Sequence, residues 1–351
     1  MKAVVYTGHG SPEVVEVQEV PAPPLGPGDV LVRVRAAALN RIDLWVRKGL
    51  PRLRLTFPHI PGADAAGVVE RVGETVTKVQ PGAEVMIAPG ISCGVCAYCV
   101  SGQDNLCADY SILGEHRNGT YAEFVAVPEA NVLPKPARLT FEEAASIPLV
   151  FLTAWNMLVT NGRLRFGETV LIWGAGSGVG SAGIQIAKLF NARVIAAAGG
   201  SWKLDKARVL GADEGIDHRE QDVLEEVRQL TDKRGVDVVF DHVGAATWQT
   251  SIKALARGGR LVTCGVTTGA EAVTDIRYIF GRRLSIHGTW MGTKGELHEL
   301  MRLVDQGRLK PVVHAVFSLE EAVKAQEVME RSEHFGKLVL RVTRNAHSLS
   351  R

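Results

Sequence analysis

The hydrophobic pattern of the chain changes character twice. Over residues 1–130, valine-rich stretches alternate apolar and polar positions, as in residues 29–34, and are cut by residues 21–28, Pro61-Gly62 and Pro81-Gly82. A period of two broken by proline and glycine predicts a β-rich domain of short strands and many turns. From about Pro128 the texture alternates between longer helical stretches and short apolar runs. A helix is predicted over 141–158, then a buried strand over Thr169–Trp173, a glycine turn and a helix over 179–190. A strand at 193–197, a helix near 203–210 and apolar strands at 236–240 and 260–264 follow. Strands alternating with helices predict an α/β domain with a doubly wound parallel sheet. From about Ser285 the β pattern returns and closes on residues 336–342. The C-terminal residues are therefore expected to complete the first domain: 1–130 with 285–351, and 131–284 between them.

A chain of 351 residues exceeds what one hydrophobic core usually supports, in keeping with two domains. The formal charge is only +2 and gathers in no run, which gives little support to nucleic-acid or acidic-membrane partners. No apolar stretch reaches the length of a membrane span, and the N-terminal MKAVVYTGHG has no apolar signal core. A cytoplasmic protein acting on a small molecule is expected.

Four of the five cysteines fall within fifteen residues, Cys93, Cys96, Cys99 and Cys107, spaced C-x2-C-x2-C-x7-C. Disulfides would need a secreted protein. An iron–sulfur cluster is the serious rival, since C-x2-C-x2-C also opens ferredoxin motifs. There the fourth cysteine follows after three residues and precedes proline, whereas here it follows after seven and precedes Ala108. The pattern points to zinc held by four sulfurs, a closed site with a structural role and no open position for chemistry. Cys264, in an apolar run, reads as packing.

The glycine segment 174–180 (GAGSGVG) does not fit G-x-G-x-x-G in any frame, but its context is a buried strand before and an amphipathic helix after. Such a strand–turn–helix aims backbone N–H groups, here of Ser177, Gly178, Val179 and Gly180, at a pyrophosphate. An NAD site usually carries an acid at the end of the second strand, to bind the ribose 2′-OH. Here that end reads Ala198-Gly-Gly-Ser201-Trp-Lys203. Ser201 and Lys203 would suit a 2′-phosphate, so NADP(H) is favoured over NAD(H).

The chain resembles the medium-chain dehydrogenase/reductase superfamily, which includes zinc alcohol dehydrogenases and quinone oxidoreductases. The resemblance runs through MKAVVY, PPLGPGDVLVRVRAAALNRIDLW, IPGADAAGVVERVG, the cysteine lobe, GTYAEFVAVP, LTAW, GAGSGVG, VDVVFDHVG and GKLVLRV. It implies a GroES-like domain and a Rossmann domain, an active site in the cleft between them, and homodimers or homotetramers.

The departures carry the functional argument. By the same resemblance, the three catalytic-zinc ligands of the alcohol dehydrogenases fall at Asn40, at Ala63 and near Leu149. Ala63 and Leu149 cannot coordinate and Asn40 would be a poor substitute, so a catalytic zinc is expected to be absent. Asp64, His59 and Asp43 remain as improvised ligands. The Asn40-Arg-Ile-Asp43 stretch is similar to the zinc-free quinone oxidoreductases, which makes Asn40 and Asp43 the catalytic candidates, with Asn40 near the nicotinamide. That branch often has Tyr where this chain has Trp45. The resemblance also sets Thr153 along the cofactor, and His218 with Lys203 at the 2′-phosphate. Without a Lewis acid, an activated C=C bond is a better hydride acceptor than an unactivated alcohol is a donor. The expected activity is reduction of quinones or α,β-unsaturated carbonyls. The alternatives are an alcohol or aldehyde dehydrogenase, and a nucleotide-binding interaction protein without catalysis.

Overall fold

A computed structural model describes residues 1–343; the last part of the expected first domain, residues 344–351, lies outside the described residues. The chain divides into two compact units. One holds Met1–Leu149, Thr293–Leu297 and the described residues from Pro311 on; the other holds Val150–Gly292 and His298–Lys310.

The first unit is built on Asp29–Ala38, a strand flanked on one side by Asp64–Val72 and on the other by Phe124–Pro128 and Lys337–Arg341 in succession. Among the described residues, the sheet runs in the order Val313–Ser318, Lys337–Arg341, Asp29–Ala38, Asp64–Val72, Glu84–Ile87, Val132–Pro134, with Phe124–Pro128 paired to the central strand. The alternation expected over residues 29–34 is only partly realised. Val30, Leu31 and Val32 are buried one after another, as happens in a central strand covered on both faces. The Lys337–Arg341 strand enters antiparallel to Ala36–Ala38, which brings Lys337 to the start of the helix Arg41–Lys48.

The second unit is a parallel sheet of six strands among the described residues. In space they run Glu214–Asp217, Arg193–Ala198, Thr169–Trp173, Val236–Asp241, Leu255–Thr263, Ser285–Gly288. In chain order that is 3-2-1-4-5-6, the doubly wound arrangement of dinucleotide-binding domains. Val170, Leu171 and Ile172 are fully buried, as a strand with helices on both faces requires. Ser285–Gly288 pairs with Leu255–Thr263 and so is the edge strand of this sheet.

The helix expected over 141–158 is broken. Phe141–Ala145 ends at Ser146, Pro148–Trp155 begins a new helix, and Asn156–Asn161 forms a wider π-helical turn. Pro148 explains the break, since proline starts helices readily but cannot continue one. Among the described residues, no helix is long and apolar enough to cross a membrane.

Candidate active site and metal site

The cysteine lobe is held together by its own backbone. Gly94 and Gly102 take positive φ of 78° at the turns that fold it back, and Cys96 opens the short helix Ala97–Val100. The N–H of Cys96 points at the Cys93 sulfur at 3.4 Å, and that of Cys93 at the Cys107 sulfur at 3.5 Å. Backbone N–H groups of Val95 and Cys96 stabilise the Cys93 thiolate and draw its pKa below the usual thiol range. The four sulfurs lie within 4.8 Å of one another, with Cys93 to Cys99 at 3.8 Å and Cys96 to Cys99 at 3.5 Å. A tetrahedral ion with sulfur at about 2.3 Å needs sulfurs about 3.8 Å apart, so the donor set fits zinc. No other group of three or more metal-ligating side chains of this kind occurs among the described residues. The lobe is tethered by Lys294, whose ammonium reaches Ser92 Oγ at 2.9 Å and Asp104 Oδ2 at 3.0 Å, while its backbone N–H reaches Asp104 Oδ1 at 3.0 Å.

Around Asn40 the same unit carries a buried polar network. Asn40 caps the helix Arg41–Lys48, and its N–H donates to Asp43 Oδ2 at 2.8 Å in a capping box. Tyr121 donates to the same oxygen at 2.6 Å. The Asn40 amide donates to Asp64 Oδ2 at 2.9 Å and accepts from Lys337 Nζ at 2.6 Å. Lys337 also donates to the Leu39 carbonyl at 2.6 Å and to Asp64 at 3.3 Å, and Leu149 N–H donates to Asp64 Oδ1 at 2.9 Å.

Asn40, Asp43, Asp64 and Lys337 are all buried. Burial raises the carboxyls of Asp43, to about 6, and of Asp64, and lowers the ammonium of Lys337. The structure thus gathers Asn40, Asp64 and the Leu149 backbone at one point, with Ala63 next in the chain. The residues weighed as improvised ligands are committed elsewhere: Asp64 and Asp43 to these hydrogen bonds, and His59 to the Gly114 carbonyl at 3.0 Å through Nε2. Trp45 is half-buried on the same helix.

The sequence reading passed over Lys337 and Tyr121, although both stand in the quoted segments GKLVLRV and GTYAEFVAVP. A lysine opening an otherwise apolar strand was the available signal, since a buried lysine must find acceptors.

In the second unit, Thr169–Trp173 leads into the glycine turn and the helix Gly178–Leu189. Gly174 takes φ +55°, and a Cβ there would lie 2.7 Å from the ring of His242. A Cβ on Gly180 would lie 2.4 Å from the Gly174 carbonyl, so only glycine lets the first helical turn fold back on the strand end. Ser177 caps the helix by accepting from Gly180 N–H at 2.9 Å, and its Oγ lies 3.1 Å from His242 Nε2. Gly178, Val179 and Gly180 are the opening helical residues, whose N–H groups emerge at a helix N-terminus. His242 was missed from the sequence; it follows directly on the strand Val236–Asp241. Thr153 is buried, with its hydroxyl 3.9 Å from the Met291 sulfur.

At the end of the second strand, Ser201 and Lys203 stand in the first turn of the helix Ser201–Val209. Ser201 is exposed, while Lys203 is largely buried with its ammonium 5.3 Å from the Trp202 ring centre. His218 is exposed and tilts toward Trp173, ring centres 6.5 Å apart. Arg219, which sequence reasoning passed over, is the side chain that reaches the strand end: a Cβ on Gly199 would lie 2.6 Å from its Nε. Asp217 pairs in register with Ala198, and its oxygens accept from Gly200 N–H at 2.9 Å and Arg219 N–H at 3.0 Å. Those bonds hold its carboxyl below the usual range.

Two family models match the chain: an alcohol dehydrogenase GroES-like domain over residues 26–137 and a zinc-binding dehydrogenase over residues 178–306. The chain is 33% identical over 350 residues to the NAD-dependent alcohol dehydrogenase of Sulfolobus acidocaldarius, covering 98% of this chain and 100% of that one. It is 33% identical over 370 residues to the crotonyl-CoA reductase of Streptomyces collinus, covering 92% and 80%. A crystal structure of an NAD-dependent alcohol dehydrogenase matches with a TM-score of 0.94 at 51% identity, over 98% of this chain and 100% of that one. With a GroES-like unit, a 3-2-1-4-5-6 parallel sheet and these relatives, the chain belongs to the medium-chain dehydrogenase/reductase family and is an NAD(P)-dependent oxidoreductase.

Proposed function

We propose that the chain reduces quinones or α,β-unsaturated carbonyl compounds with NADPH, and carries one structural zinc on Cys93, Cys96, Cys99 and Cys107 and no catalytic zinc. The donor chemistry around Asn40 carries this reading. Ala63 and Leu149 offer no ligand atom, and the carboxylate of Asp64 is matched by the ammonium of Lys337. A zinc site needs about three protein ligands. The likeness to a crotonyl-CoA reductase adds support, since a crotonyl group is itself an activated C=C bond.

NADPH supplies the hydride when bound. In this reading the N–H groups of Gly178, Val179 and Gly180 hold its pyrophosphate, with Ser177 and His242 fixing the turn. Thr153 lines the cofactor. Ser201, Lys203 and Arg219 face the 2′-phosphate, with His218 beside them, while Asp217 is spent on backbone N–H groups. Asn40, set by Asp43 and Lys337, contacts the substrate. Hydride addition at the β carbon leaves an enolate, which a hydrogen-bond donor stabilises until a proton from solvent water is added. Arg219→Ala is expected to weaken 2′-phospho-AMP binding about tenfold and to leave AMP binding unchanged, since a guanidinium–phosphate contact is worth about one such step.

We further assign it to the cytoplasm, where five unpaired cysteines are at home, as a homo-oligomer. The edge strand Ser285–Gly288, with its own Ile286 and the nearby Phe280 both exposed, offers a surface for a second copy.

A second reading, an NAD-dependent alcohol dehydrogenase, is favoured by the 51% identical crystal structure of that activity. Zinc per subunit, with turnover of 1,4-benzoquinone or 2-cyclohexen-1-one on NADPH against ethanol on NAD, separates the two. About one zinc with quinone or enone turnover supports the first; two zinc ions with alcohol oxidation sinks it.

A further inference from the structure

The amide of Asn40 sits between two partners of opposite kind. An ammonium can only donate hydrogen bonds and a carboxylate can only accept them. Lys337 Nζ lies 2.6 Å from Asn40 Oδ1, and Asp64 Oδ2 lies 2.9 Å from Asn40 Nδ2. The three N–H groups of Lys337 have three acceptors: Leu39 O, Asn40 Oδ1 and Asp64 Oδ2. Both oxygens of Asp64 accept from N–H groups, of Leu149 and of Asn40, as an ionised carboxylate does. Turning the Asn40 amide over would set N–H against ammonium and C=O against carboxylate, both away from water.

We propose that Lys337 and Asp64 are positioning residues that lock the polarity of the Asn40 amide, so that Asn40 can offer a ligand an N–H donor and never an acceptor. The second N–H of Asn40 Nδ2 points at the Ala38 carbonyl at 3.3 Å, the longest of the amide's bonds and the one a better acceptor displaces most readily. The ligand it suits is a carbonyl oxygen on which negative charge grows during hydride addition. The proposal rests on the reading above that Asn40 contacts the substrate, and it adds the direction of the hydrogen bond and the residues that set it.

The test uses the full chain with NADPH and 2-cyclohexen-1-one, comparing Asn40→Asp, Lys337→Met and the double variant Lys337→Met/Asp64→Asn. Asn40→Asp keeps the shape and removes the donor. Lys337→Met removes one of the two groups that fix the amide and leaves the Asp64 carboxylate holding Nδ2, while the double variant removes both. Asn40→Asp and the double variant are each expected to lower kcat about 100-fold, as loss of one oxyanion donor does, and Lys337→Met by less, with KM changed less than about threefold in all three. In Lys337→Met, Asp64 is left facing Asp43 and Tyr121 without its cation, so the acidic limb of kcat moves to higher pH. The double variant leaves no buried charge unpaired. Its melting temperature is expected to return toward that of the wild type while kcat stays low.

Asn40→Asp with wild-type kcat, or a double variant that recovers kcat together with stability, overturns the proposal. Should Lys337→Met not fold, the double variant and Asn40→Asp still decide it. A wild type that turns over neither enone nor quinone but reduces an aldehyde sinks the proposed function instead. The polarity lock is then tested on the aldehyde, whose oxygen is an acceptor of the same kind.

Discussion

Two regions of the first unit handle buried or clustered charge in opposite ways. The cysteine lobe draws four thiols from fifteen consecutive residues into contact and pulls Cys93 toward the thiolate. Four gathered sulfurs suit a cation brought from outside. The Asn40 region draws on residues nearly three hundred positions apart, from Asn40 to Lys337, and supplies its own cation to Asp64. The first arrangement offers four sulfurs with the spacing that suits a metal; in the second, the ammonium of Lys337 already stands against Asp64. Local charge balance, more than the count of potential ligands, separates the two.

The largest effect should come from the lobe. Cys107, buried and accepting the Cys93 N–H, is expected on change to Ser to bring zinc from about one per subunit to near zero and to lower the melting temperature by roughly 10 °C, since structural zinc supplies folding free energy directly. Elemental analysis and thermal unfolding read both. Asn40→Ala, measured alongside, should leave the zinc content unchanged. Loss of metal in Asn40→Ala would break the comparison, because the second region would then be holding a metal after all.

The second region should announce itself through pH. Burial raises the Asp43 carboxyl from 3.8 to about 6, against the hydrogen bonds from Tyr121 and the Asn40 N–H that favour the carboxylate. The folded chain therefore binds more protons than the unfolded chain between about pH 4 and 6. The protonated carboxyl's contribution is present in full below pH 4 and is lost as pH rises through 6, a change of about 3 kcal/mol. Asn at this position keeps an oxygen for Tyr121 and Asn40 but has no proton to lose. Asp43→Asn should gain up to about that amount relative to the wild type on going from pH 4 to pH 7.5, as read by urea unfolding at the two pH values. A difference that does not move with pH would mean that Asp43 ionises as readily folded as unfolded.

Much of this was legible in the chain itself. The cysteine spacing points to one loop, and the order of apolar strands and glycine turn points to the doubly wound sheet, because both are local patterns with a fixed period. Asn40 and Asp43 could be singled out as well. What stayed hidden is the company they keep. Lys337 meets Asn40 only because Lys337–Arg341 pairs antiparallel with the end of Asp29–Ala38, a contact between segments far apart in sequence that no local pattern reports. Arg219 was overlooked for the same reason: it reaches Gly199 across two neighbouring parallel strands. The helix expected over 141–158 failed at Pro148, where periodicity carried on but the backbone could not. The strand after Ser285 was assigned by its texture to the first domain, yet its pairing makes it the edge of the parallel sheet.

The smallest effect expected concerns the tether of the lobe. Lys294 joins Ser92 and Asp104 through its ammonium, and Asp104 keeps a second bond to the Lys294 backbone N–H, which a side-chain change does not remove. Lys294→Met should therefore cost only about 1 kcal/mol in overall stability and leave the zinc content at about one. Its signature should be kinetic. With Asp104 half-released, the lobe opens more often, and a colorimetric chelator should strip zinc several-fold faster than from the wild type. Equal stripping rates would mean that the four sulfurs and their backbone N–H groups hold the lobe shut unaided, and the cysteine loop would then be an autonomous unit. A fall in zinc content itself would mean the reverse: the metal site depends on an ion pair outside it, and the contrast with the Asn40 region, where fixed charge does the positioning, would narrow to a difference of degree.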